Sequence, residues 1–155
     1  MSDVAKPSWI VRIPTPIWLF GLIGLALLID WPFQFPAIVQ HRPTGVVLIV
    51  FGIALSAWAR LTFSRHGAEI LPWSDAHSAL VTSGPFRFSR NPMYLGLVVI
   101  GVGVALAAGT WLMWLVPVVV FALDQFVIIP FEEQSVERTF GEAFRAYRAR
   151  VRRWI

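Results

Sequence analysis

The chain has 155 residues, of which 57% are hydrophobic and 14% charged, with a formal net charge of +4. Soluble domains carry roughly 45–50% apolar and about 25% charged residues, and a fold of this size has too little interior to hide the excess. With a mean hydropathy of +0.67, both a soluble globular domain and a disordered chain are disfavoured, and the composition predicts an all-α integral-membrane bundle.

The start, MSDVAKPSWIVRIPTP, lacks a short apolar core followed by a small-residue cleavage site, so no signal peptide is expected. The first apolar run, 16–33, is broken only by Asp30 and is long enough to cross a bilayer. A second run covers 44–63, with Arg60 near its end placed to snorkel toward the interface. A polar stretch, 64–91, follows as a loop. From Met93 to Phe131 the chain is an apolar run with one charge, Asp124. One helix of that length would measure about 58 Å, nearly twice the roughly 30 Å hydrocarbon core. It must therefore fold back, and Gly109-Thr110 is the natural hairpin. Spans at 92–109 and 111–130 bring the total to four. Gly101 and Gly103 lie inside a span with no preceding strand, so they read as helix-packing residues rather than part of a dinucleotide fingerprint.

Four spans put both termini and the 64–91 loop on one side. That side holds 12 of the 13 Lys and Arg residues and the other only Arg42, so both termini are expected in the cytosol. The compact chain suggests a prokaryotic inner membrane. Beyond Pro130, Val136, Phe140, Phe144, Tyr147 and Val151 recur at helical spacing, predicting an amphipathic cytosolic helix over 131–150. The whole chain reads as a single domain.

Chemistry is confined to a few places. Cysteine is absent and the three histidines are scattered, so no metal site, Fe–S cluster or thiol nucleophile is expected. Four spans leave little soluble surface for a nucleic acid. Asn91-Pro92 has the form of a helix start, with Asn as the cap and Pro at the first position. That helix end is suited to an anion, although an ordinary loop entering a helix gives the same pattern. Glu132 and Glu133 stand just after the apolar run. Acids in a first helical turn are favoured by the helix dipole, and an acid beside a membrane also suits a cationic group. Asp124, inside the fourth span, needs a partner or a polar cavity. At i,i+4 spacing it shares a face with Ile128 and Glu132.

The segment ALVTSGPFRFSRNPMYLG, an apolar hairpin, the acidic pair and FGEAFRAYRARV together resemble the isoprenylcysteine carboxyl methyltransferase family and the related phospholipid methyltransferases. The resemblance covers roughly residues 60–152. It implies S-adenosylmethionine as methyl donor and a lipophilic acceptor entering from the bilayer. By position it assigns Ser78, Ala79, Leu80, Val81, Phe86, Asn91, Pro92, Met93, Tyr94 and Glu132 to the cofactor. Asn91, Tyr94, Asp124 and Glu133 are the candidates for catalysis. Asn91 stands where eukaryotic members have His, and Asn cannot act as a base near neutral pH. Ile128 stands where prenylcysteine enzymes place an Arg. The acceptor is expected to be an isoprenylcysteine-like carboxylate or a related small lipophile. The alternatives are a phospholipid amine, or a non-catalytic accessory protein on the same scaffold.

Overall fold

The computed structural model describes residues 9–65 and 80–155. Among these the chain is a helical bundle: α1 (Thr15–Phe33), α2 (Arg42–Arg65), a 3-10 turn (Gly84–Arg87), α3 (Pro92–Ala108), α4 (Trp111–Leu123), a π turn (Asp124–Ile128), α5 (Ile129–Phe140) and α6 (Glu142–Arg150). The rod running from α4 through the π turn into α5, Trp111–Phe140, is long and apolar enough to cross a membrane, as are α1 and α2. Helix α3 has 17 residues, about 25 Å at 1.5 Å per residue. Four apolar helices thus form the bundle, one of them short.

Helix α3 is central, with α2 on one side and α4 and α1 on the other. In α2 the buried residues Gly45, Gly52 and Ala59 recur every seventh position, which places them on one seam. Gly45 meets Gly103 and Gly52 meets Gly96 so closely that a Cβ on Gly52 would stand 2.6 Å from the Gly96 carbonyl oxygen. Between helices in lipid, where apolar burial gives little drive, such backbone approach supplies the contact. On the opposite face, Leu19 and Ala26 of α1, Ile100 and Ala105 of α3, and Met113, Val116 and Val120 of α4 form the core. Ile17, Phe20, Leu28, Val46, Val50 and Phe51 remain exposed, the surface a helix presents to lipid tails.

The predicted hairpin is where the backbone turns. Gly109 caps α3 at φ +87°, a conformation that suits glycine. The Gln40 amide donates to the carbonyls of Ala107 and Ala108, and the Ile38 amide donates to Gly109. The α1–α2 connection and the α3–α4 hairpin therefore meet at one end of the bundle. Thr15, the start of α3, the π turn and the C-terminal tail meet at the other.

Three expectations change. The predicted amphipathic helix over 131–150 is two helices, broken at Gly141, whose φ of +49° a helix cannot continue through. The helix that carries the fourth span does not end at 130 but continues as α5. Its i,i+4 face is also interrupted. Pro130 has no N–H and its ring crowds the carbonyl four residues back. The helix widens into a π turn, in which the Ile129 amide donates to the Asp124 carbonyl. Asp124, Ile128 and Ile129 are all buried, and Asp124 still comes within electrostatic reach of Glu132.

The glycine seam gives a matched test. Gly52→Val drives a side chain into the backbone of α3 and is expected to cost about 1–3 kcal/mol. Gly21→Val, with nothing within 4 Å of its Cβ position, is expected to leave the unfolding midpoint in detergent nearly unchanged. Equal effects would contradict the seam.

Candidate active site

The approach to α3 is built from small anchored pieces. Gly84 opens the 3-10 turn at φ +58°. The turn buries Phe86 against Phe63, with ring centroids 5.8 Å apart, beside Val81, Ala59 and Met93. The Tyr147 hydroxyl of α6 donates to the Phe86 carbonyl at 2.7 Å, pinning the last helix onto this turn. Burial pushes the Tyr147 hydroxyl up to about 12, against the lowering effect of the Arg90 charge, so it stays a donor throughout the neutral range. At the first turn of α3, the Ser56 hydroxyl donates to the Met93 carbonyl.

Asn91 occupies the cap position of α3, and the Leu95 amide donates to its carbonyl. Its side chain does not cap the helix, contrary to the sequence expectation. The amide Nδ2 instead donates to the Arg153 carbonyl at 3.1 Å. The whole segment Ser89–Asn91 grips the tail. The Ser89 hydroxyl also donates to the Arg153 carbonyl, and the Arg90 amide donates to Arg152. The Arg90 guanidinium donates to the carbonyls of Arg148 and Val151.

The acidic pair divides. Glu133 takes the Arg90 guanidinium at 2.7 Å on one oxygen and Arg153 at 2.6 Å on the other. Glu132 faces the bundle instead and accepts a hydrogen bond from the Tyr94 hydroxyl at 2.5 Å. Beside them Asp124 is fully buried. One of its oxygens accepts from the Thr15 hydroxyl at 3.0 Å and the other, Oδ2, has no partner among the described residues. Thr15, Asp124 and Glu132 all lie within electrostatic reach of Tyr94. Four elements (α1, α3, the π turn and α5) thus deliver one polar cluster into an apolar bundle.

Of the sequence-predicted residues, Tyr94, Asp124 and Glu132 come together as this cluster. Val81, Phe86 and Met93 form the apolar patch next to it. Pro92 is buried and Leu80 half-buried. Glu133 and the Asn91 side chain are engaged with the tail. Ser78 and Ala79 lie outside the described residues. Sequence reasoning missed Thr15, Arg90 and Arg153 as site-building residues. Arg153 was hidden in a run of arginines whose plain meaning was membrane sidedness. Thr15 sits between two prolines with nothing local to mark it. Among the described residues no group of His, Cys, Asp and Glu has the arrangement to hold a metal ion.

Comparison with known proteins agrees with this architecture. The family model described as phospholipid methyltransferase matches residues 41–143. Protein-S-isoprenylcysteine O-methyltransferase A of Arabidopsis thaliana is 29% identical over 123 residues, covering 73% of this chain and 59% of the plant protein. The chain thus spans about three-fifths of that relative's length. An uncharacterized protein of Haemophilus influenzae is 39% identical over 64 residues, 41% of this chain and all of that protein. No solved structure matches. The chain belongs to the phospholipid methyltransferase family.

The two-arginine clamp is directly testable. Glu133→Gln leaves two guanidinium groups without their counter-charge and is expected to cost about 1.5–3 kcal/mol. It should also speed hydrogen exchange at the Arg90 amide, which the Arg152 carbonyl protects. Glu137→Gln, whose partners Arg145 and Arg148 are about half exposed, is expected to stay within about 0.5 kcal/mol.

Proposed function

We propose that this membrane protein transfers a methyl group from S-adenosylmethionine to a lipophilic acceptor, an isoprenylcysteine-like carboxylate or a related small lipophile. The observation that carries the reading is the Tyr94–Glu132 pair, set at the start of α3 beside an unpaired acid. S-adenosylmethionine supplies an electrophilic methyl on a cationic sulfonium, together with an ammonium, a carboxylate and an adenine. The residues present suit such a donor. Glu132 matches an ammonium or a ribose hydroxyl by a charge-assisted hydrogen bond. The backbone N–H groups of Met93 and Tyr94, in the first turn of α3, match a carboxylate. Tyr94 and Phe86 match an adenine or a cation, a contact of about 0.5–2 kcal/mol. Val81, packed with Phe86 and Met93, and Leu80 beside it suit the flanking wall.

Work on the acceptor side falls to the chain's own groups. Positioning and exclusion of water by the tail-clamped loop are the main contributions, because an in-line displacement requires neither a metal nor a covalent intermediate. A carboxylate acceptor needs no base. A phospholipid amine is the second reading, favoured by Asp124: an amine must lose a proton, and Oδ2 is a buried oxygen without a partner. An apolar groove among Leu55, Trp58, Phe88, Pro92 and Leu95 offers a lipid chain a path along α2 and α3. The excess of positive charge at the arginine-rich end, with the tail and α6, supports a cytosolic position for it.

Calorimetry with S-adenosylhomocysteine tests the reading on detergent-purified protein. Micromolar binding is expected, weakened at least about tenfold, or 1.4 kcal/mol, in both Glu132→Ala and Tyr94→Ala. Absence of binding by folded wild type would overturn it. Methyl incorporation into lipid extracts then separates the acceptors. Asp124→Asn should abolish transfer to an amine and spare transfer to a carboxylate.

A further inference from the structure

At the end of the bundle opposite the Tyr94 cluster, α1 closes on a second polar feature. Asp30 lies one turn from the helix end, about 22 Å along the axis from Thr15 at 1.5 Å per residue. One of its carboxylate oxygens is buried without a hydrogen-bond partner among the described residues. Among the described residues no ion pair reaches it. Asp30, Trp31, Gln34 and Phe35 line a cleft of about 430 Å³. Gln34 sits in the left-handed region at φ +44°, and its amide donates to the Asp30 backbone carbonyl. That turn brings Phe35 back over the helix end. There its ring stacks on Phe33 at 5.7 Å and meets the edge of Trp111 at 5.4 Å. The indole of Trp31 stands free on the other side, 85% exposed.

A buried carboxylate oxygen left without a hydrogen-bond partner is costly until a donor or a cation reaches it. The surroundings restrict what that is. A metal ion would want several oxygen or nitrogen donors, and no such group occurs among the described residues. Aromatic faces beside one carboxylate instead suit a bulky, weakly hydrated cation, which gains from ring contact as well as from the charge. We propose that this cleft is a binding site for a substituted ammonium group, with Asp30 as counter-charge and Trp31 and Phe35 as the aromatic walls. It lies too far from Tyr94 to be the reaction site, so it holds a ligand that is not being methylated there. Both a lipid head group in the adjoining leaflet and a free amine carry this chemistry.

The test is a tryptophan-fluorescence titration of the full chain in nanodiscs of phosphatidylglycerol, using tetramethylammonium chloride against sodium chloride. A saturable change is expected with wild type, reduced at least tenfold in apparent affinity in Asp30→Asn and lost in Trp31→Ala. A parallel series replaces part of the phosphatidylglycerol with phosphatidylcholine or phosphatidylethanolamine. If a lipid head group is the natural occupant, these lipids suppress the tetramethylammonium response. If they leave it unchanged, the occupant is a soluble amine. A response that does not saturate, or that is identical in Asp30→Asn, overturns the proposal. Asp30→Asn is expected to bind S-adenosylhomocysteine as wild type does, which shows that the variant is folded and keeps this result separate from the fate of the methyl-transfer reading.

Discussion

Pro130 withdraws one N–H from the fourth membrane helix, and the arrangement of the site follows from how that loss is absorbed. The helix widens so that the Ile129 amide bonds Asp124 five residues back. The Gln125 carbonyl is then stranded. Its ordinary partner, Ile129, is already used, and its partner in the wider register is Pro130 itself. A stranded carbonyl in an apolar setting costs free energy until a donor reaches it. Arg153 does so, one guanidinium nitrogen donating to the Gln125 carbonyl and another to Glu133. The Trp154 indole adds a bond to the Gln125 side chain at 2.7 Å. A proline in a span thus creates the docking point for the tail.

The same shift explains why two adjacent acids do different work. Successive residues on a helix point about a quarter-turn or more apart, so Glu132 and Glu133 face different neighbours. Glu133 looks out toward Arg90 and Arg153, where three charged groups satisfy one another and fix the loop before α3. Glu132 looks in toward Tyr94 and Asp124, where no arginine reaches. One acid is therefore neutralised by protein, and the other keeps its capacity for a ligand. The clamp around Glu133 also settles where Glu132 can point, because both sit on one turn of α5.

Much of the fold was legible because it depends on bulk hydropathy. Length limits forced the Gly109 hairpin, and the first three apolar runs became helices with shifts of one or two residues at their ends, while the fourth continues through the π turn into α5. Asp124 was legible as an acid where acids are expensive, Glu132 as an acid just after the apolar run, and Tyr94 through the family resemblance. What was not legible depended on registry. The i,i+4 argument assumed an unbroken α-helix through Asp124, and the π turn that Pro130 imposes breaks that assumption. Asn91 looks like a helix cap by sequence, yet the tail carbonyl of Arg153 takes its amide. Partners 62 residues away leave no local trace in the chain.

Thr15 and Arg153 show how the family-matched stretch is completed. That stretch begins at residue 41 and ends at 143, so α1 and the tail lie outside it. Each supplies one hydrogen-bonding group to one acid: Thr15 to the buried Asp124 from the first span, Arg153 to the partly buried Glu133 from the tail. Without α1, Asp124 would have both oxygens unpartnered among apolar helices, and without the tail the clamp on the loop before α3 would be half made. The segments on either side of the shared core therefore do more than anchor it. They set how many lone pairs in the cluster remain available, and among the described residues Asp124 Oδ2 is left without a partner.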